Sequence, residues 1–213
     1  MFVRDVMTTN VVTVPSSTSI YDARNIMKAH KFRRLPVVDK GKLVGLVTEA
    51  SLNEVSPSKA TSLSIWELNY LLAKTTLKDV MIKNVLSVTP DMTVEEAVVI
   101  AQTNKVGSLP VVEDGRIVGI VTTNDFFYRI INPILGVGVP GIRLTVHSCC
   151  RSMDLEQVFG IIKKHNLPIV TMFLDKLPEA TEGDLIIHLD TEDASAVTGE
   201  LKAAGYKPEV RKR

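Results

Sequence analysis

Short apolar runs at Leu35–Val38 and Val44–Thr48 flank a polar stretch around Gly41. This pattern predicts two strands and a tight turn, because glycine supplies the positive φ that a hairpin needs. It returns at Leu109–Val112 and Val118–Thr122 around Gly115, and there the second strand runs into a helix starting near Asn124-Asp125. Placing residue 3 on residue 77 aligns 3–52 with 77–126 without a gap, and eighteen of those fifty positions are identical. Similarity at one fixed offset is an internal repeat. Before the first hairpin the pattern predicts a docking turn at Val3–Met7, a strand at Val11–Val14 and then a helix. Ser19-Ile20-Tyr21-Asp22 and Thr93-Val94-Glu95-Glu96 both have the hydroxyl-x-x-acid form of a helix start. Ile20, Ala23, Ile26 and Met27 form one apolar face, and Val94, Ala97, Val98 and Ala101 the other. In a first turn, Glu95 and Glu96 serve the cap and the dipole rather than acid–base chemistry.

Between the copies, Ser56-Pro57-Ser58 ends the first, and Ser64–Lys74 predicts an amphipathic helix with Ile65, Leu68, Leu71 and Leu72 apolar. Trp66, the only tryptophan, is expected to pack, the alternative being a cap on a ligand or a dimer contact. After Asp125 the helix continues through Phe126–Ile131 and is expected to stop at Asn132-Pro133. Gly136-Val137-Gly138-Val139-Pro140-Gly141 has the letters of a dinucleotide fingerprint but lacks the strand before and helix after, so it reads as a linker. The remainder predicts strand, helix, strand, strand, helix, strand: Ile142–Ser148, Met153–Asn166, Pro168–Leu174, Leu185–Asp190, Asp193–Ala204 and Tyr206–Val210. That order is the ferredoxin-like plan, an antiparallel four-stranded sheet under two helices. The fold class is thus α+β, divided as repeat 1 (1–56), a linker with a helix (57–76), repeat 2 (77–132), a Gly/Pro linker (133–141) and the tail domain (142–213).

Composition narrows the function. At 213 residues, 45% hydrophobic, the chain can bury real cores. A net charge of +1 argues against a nucleic-acid partner, which selects a concentrated basic face. No apolar run reaches the length of a membrane span and none has the form of a leader, so the protein is expected to be cytoplasmic. Cys149-Cys150 is neither a disulfide framework nor a metal pair and reads as a small loop filler.

The D-V-M motif (Asp5–Met7, Asp79–Met81), L-P-V-V, and G-h-V-T-x-x-D with h apolar, taken together and twice over, resemble the CBS domain family in tandem, a Bateman module. The resemblance covers about residues 1–130. It implies two βαββα-type repeats packed as a pseudo-twofold pair, binding an adenosine-containing ligand (AMP, ADP, ATP or S-adenosylmethionine) in the clefts between them. It also implies a homodimer that regulates an unidentified target protein. At the second strand–helix junction, free N–H groups and two oxygen-bearing side chains converge, so Asp125 can hold a ribose and Thr122 a ribose or phosphate. Arg33 and Arg34, from the other copy, either form a solvated helix end or bind phosphate as guanidinium does. Asn124, Ser87, Pro90, Val106, Leu109 and Pro110 complete the site that the resemblance implies. The equivalent site has Ser51 in place of the aspartate, beside Thr48, and faces Gly107-Ser108 in place of arginines, so it is expected to bind more weakly. The tail resembles the ACT domain family by element order. Its first loop, Ser148–Ser152, lacks the glycine of amino-acid-binding members. The whole arrangement resembles the acetoin-utilisation protein B type.

Nothing in the sequence supports catalysis. His30, His147, His165 and His188 are scattered without ligand spacing. No serine or cysteine sits in a nucleophile motif, no P-loop lysine is present, and no catalytic cofactor or metal is implied. The alternative to a ligand sensor is an apo dimerisation adaptor.

Overall fold

A computed structural model of the protein describes residues 1–55, 64–176 and 178–213, the side chains at 65, 68 and 69 excepted. Ser56-Pro57-Ser58 and the side chains of Ile65 and Leu68 lie outside the described residues. The chain forms two compact units, Met1–Phe126 and Phe127–Arg213.

In the first unit each repeat is a short helix, a long helix, a hairpin and a closing helix. The first copy has α1 (Val3–Val6), α2 (Ile20–His30), β1 (Arg34–Asp39), β2 (Lys42–Thr48) and α3 (Glu49–Glu54). After α4 (Ile65–Lys74), the second copy has α5 (Leu77–Val80), α6 (Val94–Thr103), β3 (Ser108–Glu113), β4 (Arg116–Thr122) and α7 (Thr123–Phe126). The hydroxyls of Ser19 and Thr93 cap α2 and α6 by accepting from the N–H groups of Asp22 and Glu96, as their spacing predicts. Both hairpins are antiparallel and slip register at the same place, Val37/Val38 and Val111/Val112. The expected strand at Val11–Val14 is instead an extended segment pinned only at Val14, by a parallel bridge to Val37.

The repeats complete each other. Thr8 pairs with Ile120 of β4, and Ile82 pairs with Leu46 of β2, so the arm that opens each copy adds to the hairpin of the other. The motifs explain the fit. Asp5 and Asp79 accept the N–H groups of Phe2 and Thr76 and close the arm's helical turn. Met7 and Met81 then lie against Gly119 and Gly45: a Cβ at 119 would stand 2.5 Å from Met7 Sδ, and one at 45 would overlap Met81 Sδ. The methionine of D-V-M thus requires the glycine of G-h-V-T in the opposite copy. A core of Ile20, Ala23, Met27, Leu35, Val37, Val47 and Leu52 takes in Leu72 of α4 and Leu77 of α5. α4 packs on α2 through Leu72, whereas Trp66 is 81% exposed, contrary to the packing expected of it.

The second unit opens with a π-helical turn, Phe127–Ile131, and α8 (Asn132–Leu135). Asn132-Pro133 does not stop the helix. Pro133 falls in the first turn of α8, where its missing N–H costs nothing, and Gly136, at φ 64°, ends it. Then come β5 (Ile142–His147), α9 (Ser152–Lys164), β6 (Ile169–Asp175), β7 (Asp184–Leu189), α10 (Ser195–Ala203) and β8 (Lys207–Lys212), within two residues of the sequence expectation at every end. The strands form one antiparallel sheet in the order β6-β7-β5-β8. Leu144, Val146, Val158, Ile162, Ile187, Leu189, Val197 and Leu201 fill its core together with Cys149. Cys150 is exposed.

The Gly/Pro stretch is a docked strap, not a free linker. His188 is buried, its Nε2 is 3.2 Å from the Pro140 carbonyl, and a Cβ at Gly136 or Gly141 would strike its ring. Arg213 closes the strap from the other edge, its N–H donating to the Gly141 carbonyl at 3.0 Å and its guanidinium to the carbonyls of Leu135 and Gly136.

Candidate functional site between the repeats

At the end of β4 the backbone passes into α7, and Asp125 folds back on the junction. Its Oδ2 accepts from Thr122 N–H at 2.8 Å and Thr122 Oγ1 at 2.6 Å, and its Oδ1 from Thr8 Oγ1 at 3.3 Å. In the first copy, Ser51 Oγ accepts from Thr48 N–H at 3.0 Å, and Thr48 Oγ1 accepts from Ser51 N–H at 3.0 Å. Thr48 therefore caps α3, and the two junctions share one capping geometry. They differ in a carboxylate.

Asp125 borders a cleft of about 710 Å³, well within the size of small-molecule sites. The first copy supplies its other side. Thr8, Asn10, Val11 and Val12 come from the exchanged arm, and Lys31, Phe32, Arg33, Arg34 and Pro36 from the turn after α2 into β1. Gly107, Ile120, Thr122, Thr123 and Asn124 line it from the second copy. Five of the residues selected from the sequence, Arg33, Arg34, Thr122, Asn124 and Asp125, meet at this one cleft.

Arg34 is half-buried, and burial, followed by the neighbouring Arg33, lowers its pKa from the ordinary guanidinium value. Among the described residues it makes no ion pair, while Arg33 Nε stands 4.0 Å from Glu49 Oε2 at the surface. Gly107 makes room for it, since a Cβ there would lie 2.5 Å from Arg34 Nη2. A half-buried cation beside a second one is a place for an anion. The cleft thus offers a carboxylate and hydroxyls on one side and guanidinium groups on the other, which suits a sugar bearing a phosphate.

The other five selected residues do not line it. Leu109 is 1% exposed and fills the core, Pro110 is buried in β3, and the Pro90 carbonyl accepts Arg4 N–H at 3.0 Å. Ser87 is exposed and Val106 half-buried. Val106 and Pro110 correspond by the 74-residue offset to Phe32 and Pro36, so they belong with Thr48 and Ser51 on the other side of the pseudo-twofold. The arm residues, Lys31, Phe32, Pro36, Gly107, Ile120 and Thr123 were not singled out as ligand contacts in the sequence. The recurrence of Asn10-Val11 as Asn84-Val85 was the available signal for the arm.

Among the described residues no group of histidine, cysteine and carboxylate side chains could hold a metal ion, and no helix is long and apolar enough to cross a membrane.

The chain is 34% identical over 149 residues to an inosine-5′-monophosphate dehydrogenase of Korarchaeum cryptofilum, covering 70% of this chain and 28% of the relative. It therefore spans less than a third of that enzyme. A structure of a provisionally assigned acetoin utilization protein (AcuB) from Vibrio cholerae matches at 33% identity and TM-score 0.53, covering 62% of this chain and 91% of the other. A CBS domain pair crystallised with 5′-methylthioadenosine and S-adenosyl-L-methionine matches at 28% identity and TM-score 0.51, covering 62% and 96%. The CBSX2 protein in complex with AMP matches at 30% and 0.51, covering 62% and 96%. The CBS domain family model matches residues 3–57 and 77–132, slightly more than half of the sequence, and these are the two copies whose arms, hairpins and capped junctions are described above. The chain belongs to the CBS domain family.

Proposed function

We propose that this protein is a ligand-sensing regulator whose CBS pair binds one adenosine-containing nucleotide per chain at the Asp125 cleft. The observation that carries the reading is the convergence of Asp125 and Thr122 from one repeat with Arg33 and Arg34 from the other on one ligand-sized cleft. The complexes of similar pairs with AMP, and with 5′-methylthioadenosine and S-adenosylmethionine, support the ligand class. Ser51 leaves the second junction without a carboxylate, so that side is the weaker site.

Residues 142–213 act as a ferredoxin-like, ACT-like domain that passes occupancy to a target protein; the β6-β7-β5-β8 order supports this. The protein works as a homodimer. Support comes from β6, an edge strand with Ile169, Met172 and Leu174 at least 40% exposed and no charge before Asp175, whereas the opposite edge, β8, is guarded by Lys207, Glu209, Arg211 and Lys212.

Thermal shift with adenosine, AMP, ADP, ATP and S-adenosylmethionine tests the reading. A ligand at a hundred times its Kd adds about 2.7 kcal/mol of stability. A chain that no adenosine compound stabilises is the apo adaptor instead, and the capping role of Asp125 favours that outcome. A monomer mass by light scattering at micromolar concentration would overturn the dimer.

A further inference from the structure

Among the described residues, Nδ1 of His188 is the only buried side-chain nitrogen or oxygen without a hydrogen-bond partner. The other ring nitrogen, Nε2, faces the Pro140 carbonyl at 3.2 Å and carries the ring's hydrogen, because a carbonyl only accepts. Nδ1 is then a bare lone pair lying against Gly136, where a Cβ would overlap it. The docked strap thus fits a neutral imidazole and offers no acceptor for a second N–H. The surroundings oppose a charge as well. β5 sets half-buried Arg143 directly opposite His188, and β6 sets Thr171 there. Arg213 of β8 lays its guanidinium on the Leu135 and Gly136 carbonyls. Residues 132–141 carry no titratable side chain. On β7 itself, Asp184 is taken up by His147 and the Ser148 N–H, and Asp190 is exposed past the strand end. Asp175 of β6 pairs in register with Asp184, at the far end of the strand. Val137 and Val139 are 54% and 40% exposed and bury little, so this part of the strap depends on His188 and Arg213.

We infer that the strap is a proton-sensitive latch, docked on neutral His188 and released when the ring takes up a proton. A proton on Nδ1 makes a buried donor without an acceptor, on a face that already holds Arg143. Docking excludes a proton that the open form accepts. It is therefore favoured above the ordinary histidine range, about pH 6.5, and weakens below it, by about tenfold per pH unit for one proton. The latch is independent of the nucleotide cleft, since every residue in it belongs to the second unit.

Two measurements on the full chain test the inference. Nitrogen NMR reads the tautomer and charge of His188. Hydrogen exchange, expressed as protection factors, reads the strap through the N–H of Arg213, bonded to the Gly141 carbonyl, and that of Val137, bonded to Asn132. At about pH 7.5 the ring should be the Nε2–H tautomer with the strap protected. At about pH 5 the ring should be charged and strap protection at least about tenfold lower, while β5 and β7 stay protected. His188→Gln keeps an amide donor for the Pro140 carbonyl and cannot titrate, so its strap protection should change less than about twofold over the same range. Charging and release that coincide in the wild type support the latch, whether or not the glutamine variant folds. Four results overturn it: a ring that charges beneath a protected strap, a ring still neutral at the lower pH, an Nδ1–H tautomer at the higher one, or a folded glutamine variant that loosens with acid as the wild type does.

Discussion

Asp125 caps a helix and borders a cleft, and one substitution separates the two roles. Position 51 shows how. There a serine makes the same reciprocal bonds with Thr48, each at 3.0 Å, without a charge. Asp125→Ser should therefore keep the cap and lose the carboxylate, whereas Asp125→Ala loses both. A lost cap costs about 0.5–2 kcal/mol. For a chain of this size, each kcal/mol lowers Tm by about 2–4 °C. A hydrogen bond to a charged group is worth about 1.5–3 kcal/mol, so loss of the ribose partner should weaken binding about ten- to a hundredfold. Scanning calorimetry reads the first quantity and titration calorimetry the second. Asp125→Ser should melt within about 2 °C of wild type, given the small difference among capping residues, and bind the nucleotide poorly. Asp125→Ala should lose both, and Ser51→Ala should lose stability alone. If Asp125→Ser keeps wild-type affinity, the carboxylate serves only the cap and the site assignment fails. If it melts as low as Asp125→Ala, the equivalence of the two junctions fails.

Three further outcomes follow from the packing. Gly45→Ala and Gly119→Ala place a methyl group on the sulfur of Met81 and Met7, and each should cost about 1–3 kcal/mol by denaturant titration. Wild-type midpoints would mean the arms are not held there. A fragment of residues 127–213 should melt above one of residues 142–213. The shorter piece loses the bonds of Arg213 to Gly136 and Gly141, about 0.5–1.5 kcal/mol each. Equal melting would make the strap a passive linker. At pH 8 a thiol reagent should modify exposed Cys150 alone. Burial, then Asp154 and Cys150, pushes the Cys149 thiol up to about 11, so almost none of it is thiolate at pH 8. Two fast equivalents in the native protein would overturn that assignment.

Features fixed by near neighbours in the chain were readable from the residues. The hairpin turns follow from Gly41 and Gly115, the helix starts from Ser19 and Thr93, and the Asp125 junction from its three-residue spacing to Thr122. The arm exchange was hidden, because Thr8 meets Ile120 across 112 residues and local periodicity carries no trace of that pairing. Leu109 was misplaced by its position beside the cleft-forming turn, although strand burial turns it into the core. Trp66 is large and apolar, yet among the described residues of α4 it is Leu72 that enters the core cluster. Gly136 and Gly141 suggest flexibility by composition. They are small because His188 lies against them.

The crossed arms make the pair a swap carried out within one chain. Each repeat owns a hairpin but borrows the strand-edge partner and the methionine that seat it. A solitary repeat would have to find its missing arm on another molecule, so one copy alone could complete its hairpin only by pairing with a second. Carrying both copies in one chain makes that exchange intramolecular. It also lets the two junctions differ: Asp125 and Arg34 stand on one side, while Ser51 and Ser108 take the equivalent places on the other without the charges.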